Sequence, residues 1–397
     1  MEHLYQEHIN ILNNFESTFR RGYIDQIDWD ERLTAIKGPR GIGKTTLILQ
    51  YITEKYGMSE EALYISMDSI ALRNLSIYEI AKHHINHGGT HLFIDEIHKY
   101  PNWSQEIKSI YDQFRKLKVV VTSSSILQIY KGNYDLSRRM VSFDMHGLSF
   151  REYLQIVLDV QLPVLSLKDI TENHVDFAIK LSKNINILPH LRDYLKHGYY
   201  PFFLESTKSY VQKLNNTINL ILDIDLPYVL GINVHNIFKV KKLLSNLATQ
   251  VPFQPNITKM AGSLELTRST INQYIHYLEN ACLLNLLVDA GKSYSSISKP
   301  EKVYLNNTNL SYAISIDNVD IGNMRETFFY NQVDHVHEVH YSKAGDFLVN
   351  KEYVFEIGGK SKNRKQIWQE DKSFTVIDNE IVGAKTRIPL WLFGFLY

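Results

Sequence analysis

Cysteine is nearly absent from this chain, whose 397 residues include Cys282 and no other cysteine. An intrachain disulfide and a metal site built from several cysteines are therefore excluded. An excess of charge of either sign is lacking as well, because 43 lysines and arginines balance 43 aspartates and glutamates. Any basic surface for nucleic acid must then be local, since the chain as a whole carries no positive charge.

Long apolar segments are lacking too, and no run of about 18 apolar residues indicates a membrane-spanning helix. The first residues carry neither the basic segment nor the apolar core of a secretory signal. These absences predict a cytoplasmic protein without a membrane partner. The GxGxxG fingerprint of dinucleotide-binding folds is also missing. What is present, 44% hydrophobic and 22% charged residues, is typical of a globular protein, here with about two or three domains.

The most informative feature present is a complete phosphate-binding loop, G-x-x-x-x-G-K-T, at 38–45. Apolar residues at 33–36 predict a strand before the loop, and 46–52 predict a helix after it, which is the context that the motif requires. Backbone N–H groups of the loop and the helix N-terminus would bind the phosphates of ATP. The predicted nucleotide-binding residues are Gly38, Pro39, Arg40, Gly41, Ile42, Gly43, Lys44, Thr45 and Thr46.

A second motif supplies the predicted hydrolytic residues. The apolar segment 91–94 is followed by Asp95 and Glu96, which places two carboxylates at the carboxyl end of a strand, where α/β sheets bind ligands. Lys44 would reach the β- and γ-phosphates, while Thr45 and Asp95 would hold Mg²⁺. Glu96 would act as general base on the attacking water. A glycine-rich turn and a strand end with solvated acids are the alternatives, but their joint occurrence favours an ATPase.

Two further segments could complete the site. The apolar strand at 119–122 ends in hydroxyls, and Thr122 or Ser123 is predicted to contact the attacking water or the γ-phosphate, although serines also end strands for local reasons. The pair Arg138 and Arg139 precedes the fifth predicted strand. An arginine here could stabilise the γ-phosphate of a neighbouring subunit in a homo-oligomer, or could form a weak surface ion pair.

The order of the elements predicts an α/β fold for the first 150 residues, with a mostly parallel sheet. Predicted strands lie at 33–37, 62–67, 91–95, 118–122 and 140–145, and the clearest helix at 103–116. After these, Ser149 and Glu152 predict a capping box at the start of a helix. The last 100 residues predict strands at 303–305, 346–349 and 353–357 and helices at 324–332 and around Gln366.

Residues 256–283 have the pattern of a helix–turn–helix, with Thr267 as the cap of the second helix. The apolar positions 271, 274, 275 and 278 would form its buried face. The residues predicted to face outward are Arg268, Ser269, Asn272 and Gln273. Because DNA binding usually needs several cations, a role in contacting a protein partner or in packing is as well supported as binding DNA.

Together these segments resemble the bacterial and archaeal AAA-type ATPases that join an N-terminal AAA module to a C-terminal domain of unknown function. The matching segments are GPRGIGKTT at 38–46, FIDEIHKYPNW at 93–103, TSSS at 122–125, LSRRM at 136–140, GLSFREYL at 147–154, HGYYPFFLES at 197–206 and VYLNNTNL at 303–310. Glycine is usual in that family at the positions of Ser123 and Arg138, and Arg139 matches its arginine finger. The resemblance implies an AAA-type P-loop NTPase core with a five-stranded parallel sheet at 1–155, a helical lid or connector at 156–232, a winged helix at 233–295 and an α/β restriction-endonuclease-like domain at 296–397.

In that last domain Glu326, Asp346 and Glu356 match the acids of a metal-dependent nuclease. Such enzymes also place a lysine two residues past the glutamate, where this chain has Gly358, so Lys360 is the candidate substitute. The sequence therefore predicts a nuclease-like fold without nuclease activity. We expect Mg²⁺-dependent ATP hydrolysis by a switch or motor for an unknown partner; an ATP-regulated nucleic-acid-binding protein or nuclease is the alternative.

Overall fold

The structure is a computed structural model that describes residues 1–17, 19–72, 75–123, 136, 138–227, 234–248, 256–291, 300–314, 320–359, 362 and 366–397. These residues form two compact units, Met1–Gly147 and Leu148–Tyr397. None of the helices in the described parts of the chain is both long enough and apolar enough to cross a membrane.

The first unit contains the five predicted strands, each within one residue of its expected ends. They are β1 Leu33–Lys37, β2 Ala62–Ser66, β3 His91–Asp95, β4 Lys118–Ser123 and β5 Val141–Asp144. The described helices of this unit are α1 Glu2–Asn13, α2 Lys44–Lys55, α3 Ile77–Asn86 and α4 Trp103–Gln113. Helix α4 ends earlier than predicted, because the chain turns at Phe114, whose carbonyl accepts from the Leu117 N–H (3.0 Å), to bury Leu117 ahead of β4.

All five strands are parallel, in the order β2-β3-β4-β1-β5. The predicted parallel sheet is therefore confirmed. Strands β1 and β3 are buried along their whole length, as the continuous apolar runs of a two-sided parallel sheet require. Strand β4 lies between β1 and β3 in the sheet. Its end therefore lies between the phosphate-binding loop, which follows β1, and the acidic pair at the end of β3. Three chain segments thus meet at one sheet edge.

The second unit begins with helices whose starts are well defined. They are α5 Phe150–Leu158, α6 Leu167–Ser182, α7 Ile187–His197 and α8 Tyr210–Leu220, the last continuing as a π-helical turn Ile221–Asp225. The predicted capping box of Ser149 and Glu152 is present at the start of α5. The Tyr397 carbonyl accepts hydrogen bonds from the Ser149 hydroxyl (2.8 Å) and from Nε of Arg151 (2.9 Å). Helix α5 lies in the second compact unit, whose C-terminal residue its start contacts. The domain boundary predicted at 155 stays a prediction.

Asn309 connects two of the segments that carried the family resemblance. Its Oδ1 accepts from the Tyr199 N–H (2.8 Å) and the Tyr210 hydroxyl (2.5 Å), and its Nδ2 donates to the carbonyls of Tyr194 (3.0 Å) and Leu195 (2.9 Å). Asn309 is fully buried, and its bonds to Tyr199, Tyr210 and Tyr194 are buried as well. The HGYY and NNTNL motifs are consequently structural, since each completes the hydrogen bonding of the other.

Three helices and the first strand of a strand pair lie in the region predicted to be a winged helix, 233–295, and the second strand of the pair follows it. They are α9 Val234–Ala248, α10 Ile257–Leu264, α11 Arg268–Asn280 and the antiparallel strands β6 Leu284–Leu287 and β7 Lys302–Leu305. The Thr267 side chain accepts from the Thr270 N–H at 3.1 Å and caps α11, as predicted. Arg268, Ser269 and Gln273 are exposed, whereas Asn272 is half-buried. The elements agree with a helix–turn–helix, and a winged-helix domain stays a prediction.

The last part of the chain forms a second five-stranded sheet with the order β12-β11-β10-β9-β8. Its strands are β8 Val339–Tyr341, β9 Phe347–Val349, β10 Tyr353–Gly358, β11 Ser373–Ile377 and β12 Arg387–Pro389, and they follow α12 Thr308–Ile314 and α13 Ile321–Asp334. β8, β9 and β10 are antiparallel neighbours, and β10, β11 and β12 are parallel. The described residues 366–369 form a turn before β11, and because 363–365 lie outside the described residues, the helix predicted around Gln366 stays a prediction.

Candidate functional site

The phosphate-binding loop takes a path that its glycines make possible. Gly41 and Gly43 have φ angles of 83° and 93°, a region that side chains other than glycine rarely enter. A Cβ atom on Gly38 would lie 2.1 Å from the carbonyl oxygen of Met145, so that position admits no side chain. Gly43 is the N-cap of α2, which places the helix N-terminus directly at the loop. The loop is therefore an open cradle of backbone at the positive end of a helix.

Lys44 brings a buried cation into this cradle. Its side chain is 5% exposed, and its Nζ donates to the carbonyl oxygens of Gly38 (2.9 Å) and Pro39 (2.7 Å). Ile42 and Pro39 are buried, Arg40 and Thr45 are half-buried and Thr46 is exposed. The ammonium group is thus held by the loop itself, where phosphate oxygens could replace the carbonyls as its partners.

Asp95 is held by three hydroxyl groups from three different elements. One carboxylate oxygen, Oδ2, accepts from Thr45 on α2 at 2.7 Å and from Tyr64 on β2 at 3.0 Å. The other oxygen accepts from Thr122 on β4. Burial and the Asp95 charge raise the pKa of Tyr64 far above its ordinary value, so this hydroxyl stays a donor at neutral pH. Sequence reasoning missed Tyr64, although the register that pairs Ser66 with Asp95 places β2 beside the acidic strand.

Glu96 lies next to Asp95 in a left-handed backbone conformation, with φ 55°. Its N–H donates to the Thr122 hydroxyl at 2.9 Å. The carboxylate oxygen Oε2 is 3.4 Å from Nε2 of His98, 3.7 Å from an Arg40 nitrogen and 3.9 Å from Nζ of Lys99. A non-glycine residue in this conformation costs on the order of 1 kcal/mol or more and is often found at functional sites. Here it turns the carboxylate toward Arg40 of the phosphate-binding loop.

His98 is a second residue that the sequence did not reveal. Its side chain is 3% exposed, and its Nδ1 lies 3.3 Å from the Ser123 hydroxyl at the end of β4. Burial, followed by the charges of Arg40, Lys99 and Lys44, lowers the pKa of His98 to about 3. The imidazole is therefore neutral at pH 7, with one donor and one acceptor nitrogen. In the tautomer in which Nδ1 accepts from Ser123, Nε2 carries the proton and faces Oε2 of Glu96, 3.4 Å away.

The remaining predicted catalytic residues make contacts within the protein. The Thr122 side chain is fully buried and its hydroxyl bonds to Asp95 and Glu96, so its predicted contact with water or phosphate stays a prediction. Arg139 is 30% exposed and pairs with Asp112 of α4, with Nε 3.1 Å from a carboxylate oxygen. Its role as an arginine finger is likewise untested by this geometry, and in that role it would have to leave Asp112.

The three acids predicted for the C-terminal domain lie together, but each has a protein partner. Nζ of Lys302 is 3.3 Å from Glu326 and 3.2 Å from Asp346, and Nζ of Lys362 is 2.5 Å from Glu356. Lys302 and Lys362 were missed by the sequence reasoning, and the proposed Lys360 lies outside the described residues. Within the described parts of the chain, no group of three or more histidine, cysteine, aspartate or glutamate residues is arranged to hold a metal ion.

The charges in this cluster alter one another. Burial, and then the charge of Asp346, raise the pKa of Glu326. Burial by itself lowers the pKa of Lys302, but the carboxylates of Glu326 and Asp346 outweigh it and raise that pKa. Burial also raises the pKa of Glu356, and Lys362 opposes this shift.

Two separate segments of the chain match two different families of known proteins. Residues 30–154 match the family model described as the AAA domain, and residues 188–320 match a domain of unknown function, DUF8612. An uncharacterized protein of Methanocaldococcus jannaschii is 25% identical over 390 residues, which cover 90% of this chain and 82% of that protein.

Solved structures show weaker likeness. AMPPCP-bound DnaA from Aquifex aeolicus has 12% identity and a TM-score of 0.25, over 70% of this chain and 87% of that one. The Hsp104–ADP complex of S. cerevisiae has 15% identity and a TM-score of 0.25, over 70% of this chain and 39% of that one. The segment 30–154 that matches the AAA domain contains both the phosphate-binding loop and the acidic strand described above.

Proposed function

We propose that this AAA-type domain hydrolyses ATP in a Mg²⁺-dependent reaction and that the cycle works as a switch or motor on a partner. One observation carries the proposal: Lys44, Thr45, Asp95 and Glu96 meet at one sheet edge, beside a loop shaped for phosphate. In a strand end with merely solvated acids, Asp95 would not be fixed by three buried or half-buried hydroxyls.

The residues present fit a magnesium ion. The Thr45 hydroxyl and the Asp95 carboxylate, 2.7 Å apart, are oxygen donors of the kind that Mg²⁺ prefers. They would hold the ion, which when bound neutralises charge on the β- and γ-phosphates. Tyr64 and Thr122 keep Asp95 in place by donating to its two oxygens. This second layer of hydrogen bonds is expected around a preorganised metal site.

Lys44 and Glu96 divide the work between binding and chemistry. The Lys44 ammonium exchanges the Gly38 and Pro39 carbonyls for phosphate oxygens and so contributes to ATP binding. Glu96 accepts the proton of the attacking water, and its carboxylate is oriented by the neutral His98. Arg40 contacts Glu96 from the loop, so binding of the γ-phosphate there would draw Arg40 away from the carboxylate.

The test separates these two roles. Lys44→Ala is expected to lose tight ATP binding, whereas Glu96→Gln keeps binding and loses turnover, because only Glu96 acts at the reaction step. Binding is measured with a fluorescent ATP analogue and turnover by phosphate release. Lys55→Ala at the other end of α2 and the exposed Glu61→Gln are matched controls that should behave as the wild type. Wild-type hydrolysis by Glu96→Gln would refute the assignment of the base.

A second candidate function is ATP-regulated binding of nucleic acid. It is favoured by α10 and α11, which precede an antiparallel strand pair, and by the exposed Arg268, Ser269 and Gln273 at the start of α11. The order of α13, three antiparallel strands and a parallel fourth also supports a restriction-endonuclease-like C-terminal domain. The ATPase proposal has the stronger basis, since the described structure brings its motif residues together at one sheet edge.

A further inference from the structure

The carboxylate cluster of the second unit consists of Glu326, Asp346 and Glu356, and a lysine side chain lies between two of these acids. Lys302, the first residue of β7, is 13% exposed and reaches between Glu326 of α13 and Asp346, which precedes β9. Its Nζ contacts one oxygen of each acid, at 3.3 Å and 3.2 Å. An ammonium group has three donors, and two of them are directed at these carboxylates.

Further protein groups bond to the cluster. Tyr304 donates at 2.8 Å to the same Glu326 oxygen that Lys302 contacts, and the N–H of Ile357 donates at 2.9 Å to the second oxygen of Asp346. Glu356 is 3% exposed, and one of its carboxylate oxygens contacts Lys362. Among the residues that the structure describes, two lysines thus face three acids, and each acid has at least one charged or polar donor.

A divalent cation shared by Glu326 and Asp346 would need the place that Nζ of Lys302 takes. The two positive charges could not occupy it together, because like charges at such short range repel strongly in a partly buried site. The residues therefore do not fit the metal that a nuclease site requires. The disagreement arises from Lys302, and not only from the glycine at 358.

We propose that Lys302 is a built-in cation that replaces a divalent metal and makes this cluster a metal-independent link between β7, α13 and the second sheet. The link stabilises the unit because removal of one partner leaves buried charge uncompensated. It also closes the site to Mg²⁺ and Mn²⁺. Without Lys302, three acids and one lysine remain, an arrangement that attracts a divalent cation.

The experiment measures Mn²⁺ binding to the nucleotide-free full-length chain by electron paramagnetic resonance, together with thermal unfolding. The wild type and Asp346→Asn are expected to bind Mn²⁺ equally, because Asp346 is not available to metal. Lys302→Met introduces a neutral side chain of similar length. This variant is expected to bind one Mn²⁺ at the cluster with an affinity at least tenfold higher than the wild-type cluster has. Its midpoint of unfolding should fall without metal and recover in part with Mn²⁺.

Three controls make the result specific. Lys302→Met combined with Asp346→Asn should lose the gained Mn²⁺ site, and Lys302→Arg should gain none. Lys372→Met, which breaks an exposed ion pair with Glu352 just before β11, should also gain no Mn²⁺ site. Any Mn²⁺ held by Thr45 and Asp95 is common to all variants and cancels in the comparison. A wild-type Mn²⁺ site that Asp346→Asn removes would overturn the proposal, even if Lys302→Met failed to fold. A folded Lys302→Met chain that gains no site would overturn it as well.

Discussion

At the scale of single residues, the proposed hydrolysis depends on how the Glu96 carboxylate, which has charged side chains around it, is kept in one orientation. Glu96 has Arg40, His98 and Lys99 around it, and Lys99 also pairs with Asp68 at 2.5 Å. His98 is buried and neutral, and its Nδ1 lies 3.3 Å from the Ser123 hydroxyl at the end of β4. We therefore infer that His98 is a positioning residue, which holds Glu96 through a hydrogen bond to Ser123.

His98→Ala is expected to lower kcat by on the order of 10²-fold with little change in ATP affinity, because misplacement of a reacting group affects chemistry more than binding. His98→Gln should restore much of kcat, since its amide can both donate to Glu96 and accept from Ser123. Because the pKa of His98 is about 3 in the folded chain, no pH dependence of turnover above about pH 5 should arise from it. Steady-state kinetics and nucleotide binding measure these effects. Equal losses in both variants would indicate a merely structural residue.

The residues that sequence reasoning found and missed differ in a physical way. Lys44 and Thr45 are adjacent after the glycine-rich loop, and Asp95 and Glu96 are adjacent at the end of one strand, so local order was enough to predict that the two pairs would lie at one sheet edge. Tyr64 reaches Asp95 across neighbouring strands, and Lys302 meets Asp346 across 44 positions. Such contacts depend on strand register and on packing of distant segments, which a single sequence does not specify.

At the scale of elements, helix α11 presents a surface whose partner can be tested. Arg268, Ser269 and Gln273 are exposed near its N-terminus, while Ile271 and Ile275 are buried. One cation on this face predicts weak DNA binding with a shallow salt dependence. A protein partner would bind to α11 whether or not nucleic acid is present.

If α11 contacts DNA phosphates, Arg268→Ala should weaken binding of a duplex and lower the slope of log affinity against log salt by about 1. Fluorescence anisotropy over a salt series measures both quantities, and Arg192→Ala, an exposed arginine on α7, is the matched control. Absence of binding at low salt, or a slope that Arg268→Ala leaves unchanged, would favour a protein partner for this helix.

Local elements could be predicted from the sequence more directly than contacts between distant segments. Strands β1 to β4 are mostly buried, short apolar runs, and their bounds lie within a residue of the prediction; the bounds of β5 do so too, although this strand is mostly exposed. Ser149 and Arg151 at the start of α5 bond to the far C-terminal residue, and no local pattern in the sequence reports that contact.

At the scale of the whole molecule, the groups proposed for hydrolysis all come from the first unit, whereas α11 and the lysine–carboxylate cluster belong to the second. Arg139, the predicted arginine finger, pairs with Asp112 of its own unit in this structure. For an arginine directed at the γ-phosphate, a second copy of the chain is the source that the resemblance to AAA-type ATPases implies.

If Arg139 is a finger supplied by a neighbouring subunit, turnover per subunit should rise with protein concentration, and Arg139→Ala should lower it by about 10³-fold. Mixed Arg139→Ala and Lys44→Ala chains should recover part of the activity, because each provides the group that the other lacks. Asp112→Asn separates this role from a structural one: it breaks the same ion pair but leaves the arginine available, so turnover should persist. Phosphate release measured alongside the mass in solution decides the matter, and a monomer whose turnover is independent of concentration would contradict the proposal.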